Sequence, residues 1–266
     1  MAQLEGFEDP AHPNFSSQVD PSLFTYHQDT VHAFLLVYVD DILVTSNDRS
    51  FVASLISKLQ LDFVMKDLGQ LSYFLGIEAT CDSSSLHLRQ KRYVIHLLDL
   101  VKLLGIHPYR APYISGSKLS KFDGKVLLGP LEYRHTVGAL QYVTLTRPDI
   151  AFSLNKLCQH MQASTTTTHW TTAKRVLHYL NNTLDYGLFY TPGSFSINAY
   201  CDSDWDGDPD DRRLMCGYGI YVGPNLISWS AKNQPVVFES STEAEYRCLA
   251  LVTAEVYWLR MRLCEL

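Results

Sequence analysis

The sequence has no apolar run near the roughly 18 residues of a membrane-spanning helix, so no membrane partner is expected. Its start, MAQLEGFEDP, lacks a basic stretch followed by an apolar one, which excludes a secretory leader from the expectation. The expected protein is soluble and untargeted, in the cytoplasm or nucleus. None of the six cysteines (Cys81, Cys158, Cys201, Cys216, Cys248, Cys264) forms a C-x-x-C pair. That scatter argues against a zinc knuckle and against a disulfide framework, and makes a reducing interior the default. The ten histidines make a poor ligand set, because His160, His169 and His178 recur at nine residues and turn neighbours to opposite sides of a helix. Positive charge is also short: 22 basic against 28 acidic residues give a net charge of -6, which alone argues against a nucleic-acid binder.

What is present changes that picture. The 266 residues are 46% hydrophobic, enough for buried cores in two domains or one and a half. Charge is unevenly spread. Between Asp82 and Lys125 stand eight basic residues (Arg89, Lys91, Arg92, Lys102, Arg110, Lys118, Lys121, Lys125) against three acids, while 202–211 holds six aspartates and no base. A basic segment that binds phosphates, with carboxylates that hold a metal, would suit chemistry on a polyanion; a solvated face with chance clustering is the alternative.

The stretch VYVDDILVT, 37–45, reads as two buried strands joined at Asp40 and Asp41. A polar turn at the Asp-Asp tip is the plain reading. Against it, two-residue hairpin turns favour Asn-Gly, Asp-Gly or Gly-X; two carboxylates on a rigid hairpin can instead hold a divalent cation. Beyond it, Ser46 and Asn47 offer a cap to a helix with Phe51, Val52, Leu55, Ile56 and Leu59 at helical spacing. A second hairpin is predicted from FVMKDLGQLSYFLGIEA and LHLRQ, turning at CDSSS, and then a helix from Gln90 stopped by Gly105. Residues 105–130 read as a linker or irregular loop. From Glu132 to Leu184 the pattern is helical, broken at Arg147-Pro148 and at Ser164 to Thr168, whose hydroxyls suit an N-cap. Past TPGS, 191–194, four strand-like runs (FSINAYCDSD, LMCGYGIYV, NLISWSA, PVVFES) precede a helix from about Thr242. Gly217, Gly219 and Gly223 fall within a strand, which disqualifies them as a nucleotide-binding loop.

Asp202 falls at the end of the strand FSINAYC, where its carboxylate can project from a fixed backbone. Glu245 completes a T-x-x-E capping box with Thr242. The spacing of Glu245, Leu249, Val252, Val256 and Leu259 also places it at the head of a buried stripe, where a carboxylate needs a partner such as a metal shared with Asp202.

Taken together, PSLFTYHQ at 21–28, LLVYVDDILVTS at 35–46, DLGQLSYFLGIEA at 67–79, VGALQYVTLTRPDIAFSLNKLCQHM at 137–161, HWTTAKRVLHYLNNTLDYGL at 169–188, AYCDSDWDGDPDDRR and SWSAKNQPVVFESSTEAEYRCLA resemble the Pol polyprotein of copia-type retrotransposons. The resemblance implies an α+β chain: a partial reverse-transcriptase palm over 1–90, a helical thumb and connection over 91–192, and an incomplete ribonuclease H-like mixed sheet with one helix over 193–266. It implies that Asp40 and Asp41 are paired palm carboxylates and that Asp202 and Glu245 are ribonuclease H acids, all four binding magnesium, or manganese in its place. The hairpin 72–89 resembles the element that positions a primer end. An RNA template, an RNA–DNA hybrid, deoxynucleotides and other Pol segments are the implied partners. The implied activity is RNA-directed DNA polymerisation and RNA hydrolysis, with residual nucleic-acid binding by a non-catalytic relic as the alternative. In the family a further palm aspartate precedes the matching region and a further ribonuclease strand follows it, so truncation at both ends and two incomplete sites are expected.

Overall fold

The structure, a computed structural model, describes residues 20–28, 30–103, 105, 107–162, 165–204, 210, 213–234 and 240–266, with nothing described of the Asp204 side chain. The chain divides into two compact units, one running to Leu71 and taking in Tyr257–Leu266, the other Ser72–Val256. Secondary structure is mixed α+β, with three small antiparallel sheets and six α-helices among the described residues. No helix among them is long and apolar enough to cross a membrane.

The first unit is a meander of β1 (Leu23–Gln28), β2 (Val31–Tyr38) and β3 (Asp41–Ser46), followed by α1 (Arg49–Asp62). Asp48, rather than Ser46 or Asn47, caps α1: its carboxylate accepts the Ser50 and Phe51 amides at 2.7 and 3.3 Å. Asn47 is held elsewhere, donating to the Thr30 carbonyl and accepting the His32 amide, so the chain enters the helix one residue later than expected. Phe51 stacks on Tyr26 at 4.8 Å. Ala33 and Leu259 are the unit's buried apolar residues among those described.

The second unit holds the core. A four-stranded sheet runs β4 (Tyr73–Phe74), β5 (Ile77–Cys81), β6 (Leu86–Arg89), β7 (Leu188–Tyr190). Leu75 and Gly76, at φ +45° and +73°, make the tight β4–β5 turn, because a two-residue hairpin with both central residues left-handed matches strand twist. Tyr142 Oη hydrogen-bonds the Leu75 carbonyl, and a Cβ at Gly76 would meet that ring at 3.0 Å. The CDSSS turn forms as expected, the Asp82 carboxylate accepting the Ser84 and Ser85 amides.

Helix α2 (Lys91–Leu100) stops earlier than predicted. Lys102 turns left-handed at φ +55°, and Leu100 is exposed while Val94, Leu97 and Leu98 are buried. Helices α3 (Pro130–Val143), α4 (Ala151–Cys158) and α5 (Thr167–Asn182) close around α2, burying Tyr133, Val137, Leu140, Ile150, Leu157, Val176, Leu177 and Leu180. Thr166 caps α5, and its amide donates to His169 Nδ1 at 3.0 Å.

A 3₁₀ turn, Pro148–Ile150, leads into α4, and beside it Arg147 is buried to 2% exposure. Its guanidinium donates to both Asp149 oxygens at 2.9 and 2.6 Å and to the carbonyl and hydroxyl of Thr183 at 2.9 and 2.7 Å. The Tyr179 hydroxyl donates to Asp149, and the rings of Tyr179 and Tyr186 each lie 5.4 Å from the guanidinium. Burial pushes the Asp149 carboxyl up, but Arg147 and Tyr179 outweigh it and hold the group below its ordinary range.

The last sheet has the order β10 (Asn225–Asn233), β9 (Met215–Val222), β8 (Ile197–Asp204), antiparallel throughout rather than mixed among the described residues. The fourth expected strand, PVVFES, falls almost wholly outside them. Helix α6 (Ser241–Glu265) follows. Cys216 of β9 and Cys248 of α6 form a disulfide with Cα atoms 5.6 Å apart. This corrects the expectation of no disulfide: a separation of 32 residues carries no spacing signal, and only the packing of strand and helix brings the pair together.

Replacing Arg147 by Ala strands a buried carboxylate and is expected to destabilise the chain by about 3 kcal/mol or more, measured by urea denaturation. His169 is wholly buried and stacked on His160 at 4.0 Å, and burial followed by that neighbour lowers its pKa to about 4. An unfolded histidine titrates near pH 6.5, so as pH falls from there to about 4 the unfolded chain gains a proton that the folded chain refuses. Stability is therefore expected to fall across that window. In His169→Gln, which keeps an acceptor for the cap, the urea midpoint should depend less on pH.

Candidate functional site

The β2–β3 hairpin carries the first acidic pair. Cross-strand register runs from Ala33 opposite Ser46 to Tyr38 opposite Asp41, which leaves Val39 and Asp40 as the two-residue tip. The tip is thus Val39-Asp40, not Asp40-Asp41: Asp41 is the first residue of β3. Both aspartates are exposed, and the strands are half-buried rather than buried. Val39 has φ +53° and is 87% exposed. A β-branched residue in the left-handed region is a steric outlier, since its Cβ crowds the backbone. The sequence signal for the true apex is Val39, the residue least suited to a tight turn.

As a donor set, Asp40 and Asp41 fit magnesium. They offer hard carboxylate oxygens on consecutive residues of a paired hairpin, and magnesium is commonly held by one or two carboxylates together with substrate phosphates and water. Among the described residues no group of three or more His, Cys, Asp or Glu side chains is placed to hold a metal.

The second acidic constellation is arranged differently from its sequence pattern. Strand β8 continues to Asp204, so Asp202 lies within the strand rather than at its end. It stands opposite Gly217, on the same sheet face as Tyr200 opposite Gly219, and its Oδ1 accepts the Ser203 amide at 2.9 Å. Because side chains alternate along a strand, Cys216, bonded to α6, occupies the opposite face. Helix α6 begins at Ser241, and Ser240 Oγ accepts the Glu243 amide at 3.2 Å. The cap is therefore Ser240 with Glu243 at the third helical position, two residues before the expected Thr242–Glu245 box. Glu245 is exposed, as is Leu249; the buried residues are Ala244, Cys248, Val252 and Leu259, so the expected Val252 and Leu259 are kept while Ala244 and Cys248 stand in for Glu245 and Leu249. Two carboxylates so placed do not fit a shared metal.

Of the other aspartates in the run, Asp206, Asp208 and Asp211 lie outside the described residues. Asp210 is a tether: its carboxylate accepts the Ser120 hydroxyl and the Lys121 amide, each at 2.7 Å. Burial pushes its carboxyl up, and these bonds outweigh that and lower it. Asp210 is thereby fastened to the basic loop.

Ion pairs narrow the basic segment. Arg89 meets Glu78 at 3.4 Å and Asp185 at 3.1 Å, and Lys91 meets Asp185 at 2.8 Å. Lys91, then burial acting oppositely, dominates Asp185, whose carboxyl stays below its ordinary range. Arg92 stands 5.8 Å over the Tyr73 ring, so β4 and α2 together present a cation beside an aromatic face.

A family described as reverse transcriptase (RNA-dependent DNA polymerase) matches residues 13–115. The chain is 43% identical over 248 residues to the retrovirus-related Pol polyprotein from transposon RE2 of Arabidopsis thaliana, a match covering 93% of this chain and 17% of that protein. It is 32% identical to the retrovirus-related Pol polyprotein from transposon TNT 1-94 of Nicotiana tabacum, covering 87% of this chain and 18% of the relative. An uncharacterized mitochondrial protein of Arabidopsis thaliana is 43% identical over 226 residues, 85% of this chain and 93% of its own length. The chain thus spans under a fifth of the polyproteins it matches. No solved structure matches it.

The strained tip yields a direct expectation. Val39→Asn, which tolerates the left-handed conformation, should raise stability by about 1 kcal/mol in urea denaturation, with β2–β3 pairing preserved.

Proposed function

Because this chain belongs to the reverse-transcriptase family of copia-type retrotransposon Pol polyproteins, we propose that it serves RNA-directed DNA polymerisation, with Asp40 and Asp41 as the palm carboxylates. The observation that carries the reading is the hairpin tip. A strained, exposed turn on two hydrogen-bonded strands holds two carboxylates outward, and strain of this kind is kept where a site requires it. Asp40 and Asp41 would hold magnesium, with manganese as the substitute. When bound, the metal supplies charge neutralisation at nucleotide phosphates and activates a primer 3′-hydroxyl. The chain's own residues fix the carboxylates by strand pairing, and the half-exposed Tyr38 flanks them.

The β4–β6 hairpin, tied at its tip by Tyr142, is the proposed primer-positioning element, and Arg92 on Tyr73 supplies a phosphate contact. In this reading 1–90 is palm, 91–192 thumb and connection, and 193–266 a ribonuclease H-like region; RNA template, RNA–DNA hybrid, deoxynucleotides and other Pol segments are the proposed partners. Asp202 and Glu245 remain proposed ribonuclease H residues, but no hydrolytic step is derived through a metal between them, given their placement. A second reading, nucleic-acid binding without catalysis, is favoured by the exposed cation of Arg92 on its aromatic support.

The expected result is magnesium-dependent extension of a DNA primer on an RNA template, abolished in Asp40→Asn. Folded chain that binds template and primer but extends nothing overturns the catalytic reading. Binding that weakens steeply with salt then supports the second, because phosphate contacts release counterions.

A further inference from the structure

Over Ser241–Val256, helix α6 buries few apolar side chains. Between Ser241 and Val256 its buried apolar residues are Ala244, Cys248 and Val252, while Tyr246, Leu249 and Leu251 are more than half exposed. Ala and Cys bury little apolar area, so the hydrophobic grip of this face is small. One polar anchor is Gln234 Nε2, which donates to the Ala244 carbonyl at 3.0 Å.

At the centre of this thin contact stands a covalent bond. Cys216 is 4% exposed and Cys248 1%, and Cys248 Sγ lies 3.3 Å from the carbonyl oxygen of Asp202. Their Cα separation of 5.6 Å is in the common range for a disulfide, so strand and helix need not shift to form it. The bond closes a loop across 32 residues, enough to remove substantial freedom from the opened chain. The other cysteines, Cys81, Cys158, Cys201 and Cys264, are free, and Cys201 is exposed on β8, on the same sheet face as Cys216.

We propose that Cys216 and Cys248 are a redox-controlled lock that fixes the first half of α6 against β8 and β9. Oxidised, the pair holds the helix beside the Asp202 backbone. A dithiol reductant opens it: the S–S bond breaks, two protons and two electrons pass to the cysteines as two thiols, and the reductant closes to its own disulfide. The lock stands on packing alone; only its further consequence, that reduction frees Glu245 relative to Asp202, rests on the ribonuclease H reading.

The test uses the whole chain, isolated with free thiols blocked from the start. Denaturing alkylation followed by mass spectrometry should show four labels without reductant and six after a dithiol, with Cys216 and Cys248 gaining the difference. Six labels without reductant would overturn the proposal. Hydrogen exchange supplies the second arm: amides of 241–256 should exchange roughly a hundredfold faster after reduction, as a disulfide's typical contribution implies. Cys216→Ser should reproduce the loss, and Cys201→Ser should remove one label and leave protection intact. Unchanged protection on reducing the wild-type chain would refute the lock even if the serine variant misfolds, and neither readout depends on polymerase or nuclease activity.

Discussion

The second unit is organised around one buried charge. Arg147, with almost no access to water, has to find acceptors inside the protein, and it draws them from two directions: Asp149 two residues on, and the end of α5 at Thr183. The first contact shapes the turn into α4, and the second fixes where α5 stops. Tyr186 then stacks on the same guanidinium, and two residues later the chain enters β7, which pairs with β6. Arg147 thus adds to the ties that Tyr142 makes to the Leu75 carbonyl and Asp185 makes to Arg89 and Lys91, and replacing its contacts by apolar packing would require its partners to change together.

Among its described residues the first unit has no comparable buried charge. There its carboxylate hairpin is supported by backbone pairing, by a capped helix with no buried residue, and by contacts such as the stacking of Tyr26 on Phe51. Hydrogen-bonded strands with few buried apolar contacts open locally at low free energy. Among the described residues the geometry of the acidic pair is set by strand register.

Much of this was legible in the sequence because the signals were local. Apolar runs located the VYVDD hairpin, the CDSSS turn followed from Asp and Ser, and the hydroxyl tract announced the start of α5 at Thr166. The errors were equally specific. Glu245 and Leu249 share helical spacing with Val252 and Leu259, but so do Ala244 and Cys248, and it is this second pair that packing buries. Asp48 took the cap because Asn47 was already committed to Thr30 and His32. The disulfide depended on tertiary contact between residues far apart in the chain, for which no spacing rule exists. At the hairpin tip the motif was found but its apex was misassigned by one residue, since the pairing of Tyr38 with Asp41 is a property of the ladder.

Val39 also shows which force sets the hairpin's register. A valine at φ +53° is a poor turn residue, so the ladder from Ala33–Ser46 to Tyr38–Asp41 closes the hairpin in spite of its apex: the strands impose the turn, and the turn does not nucleate the strands.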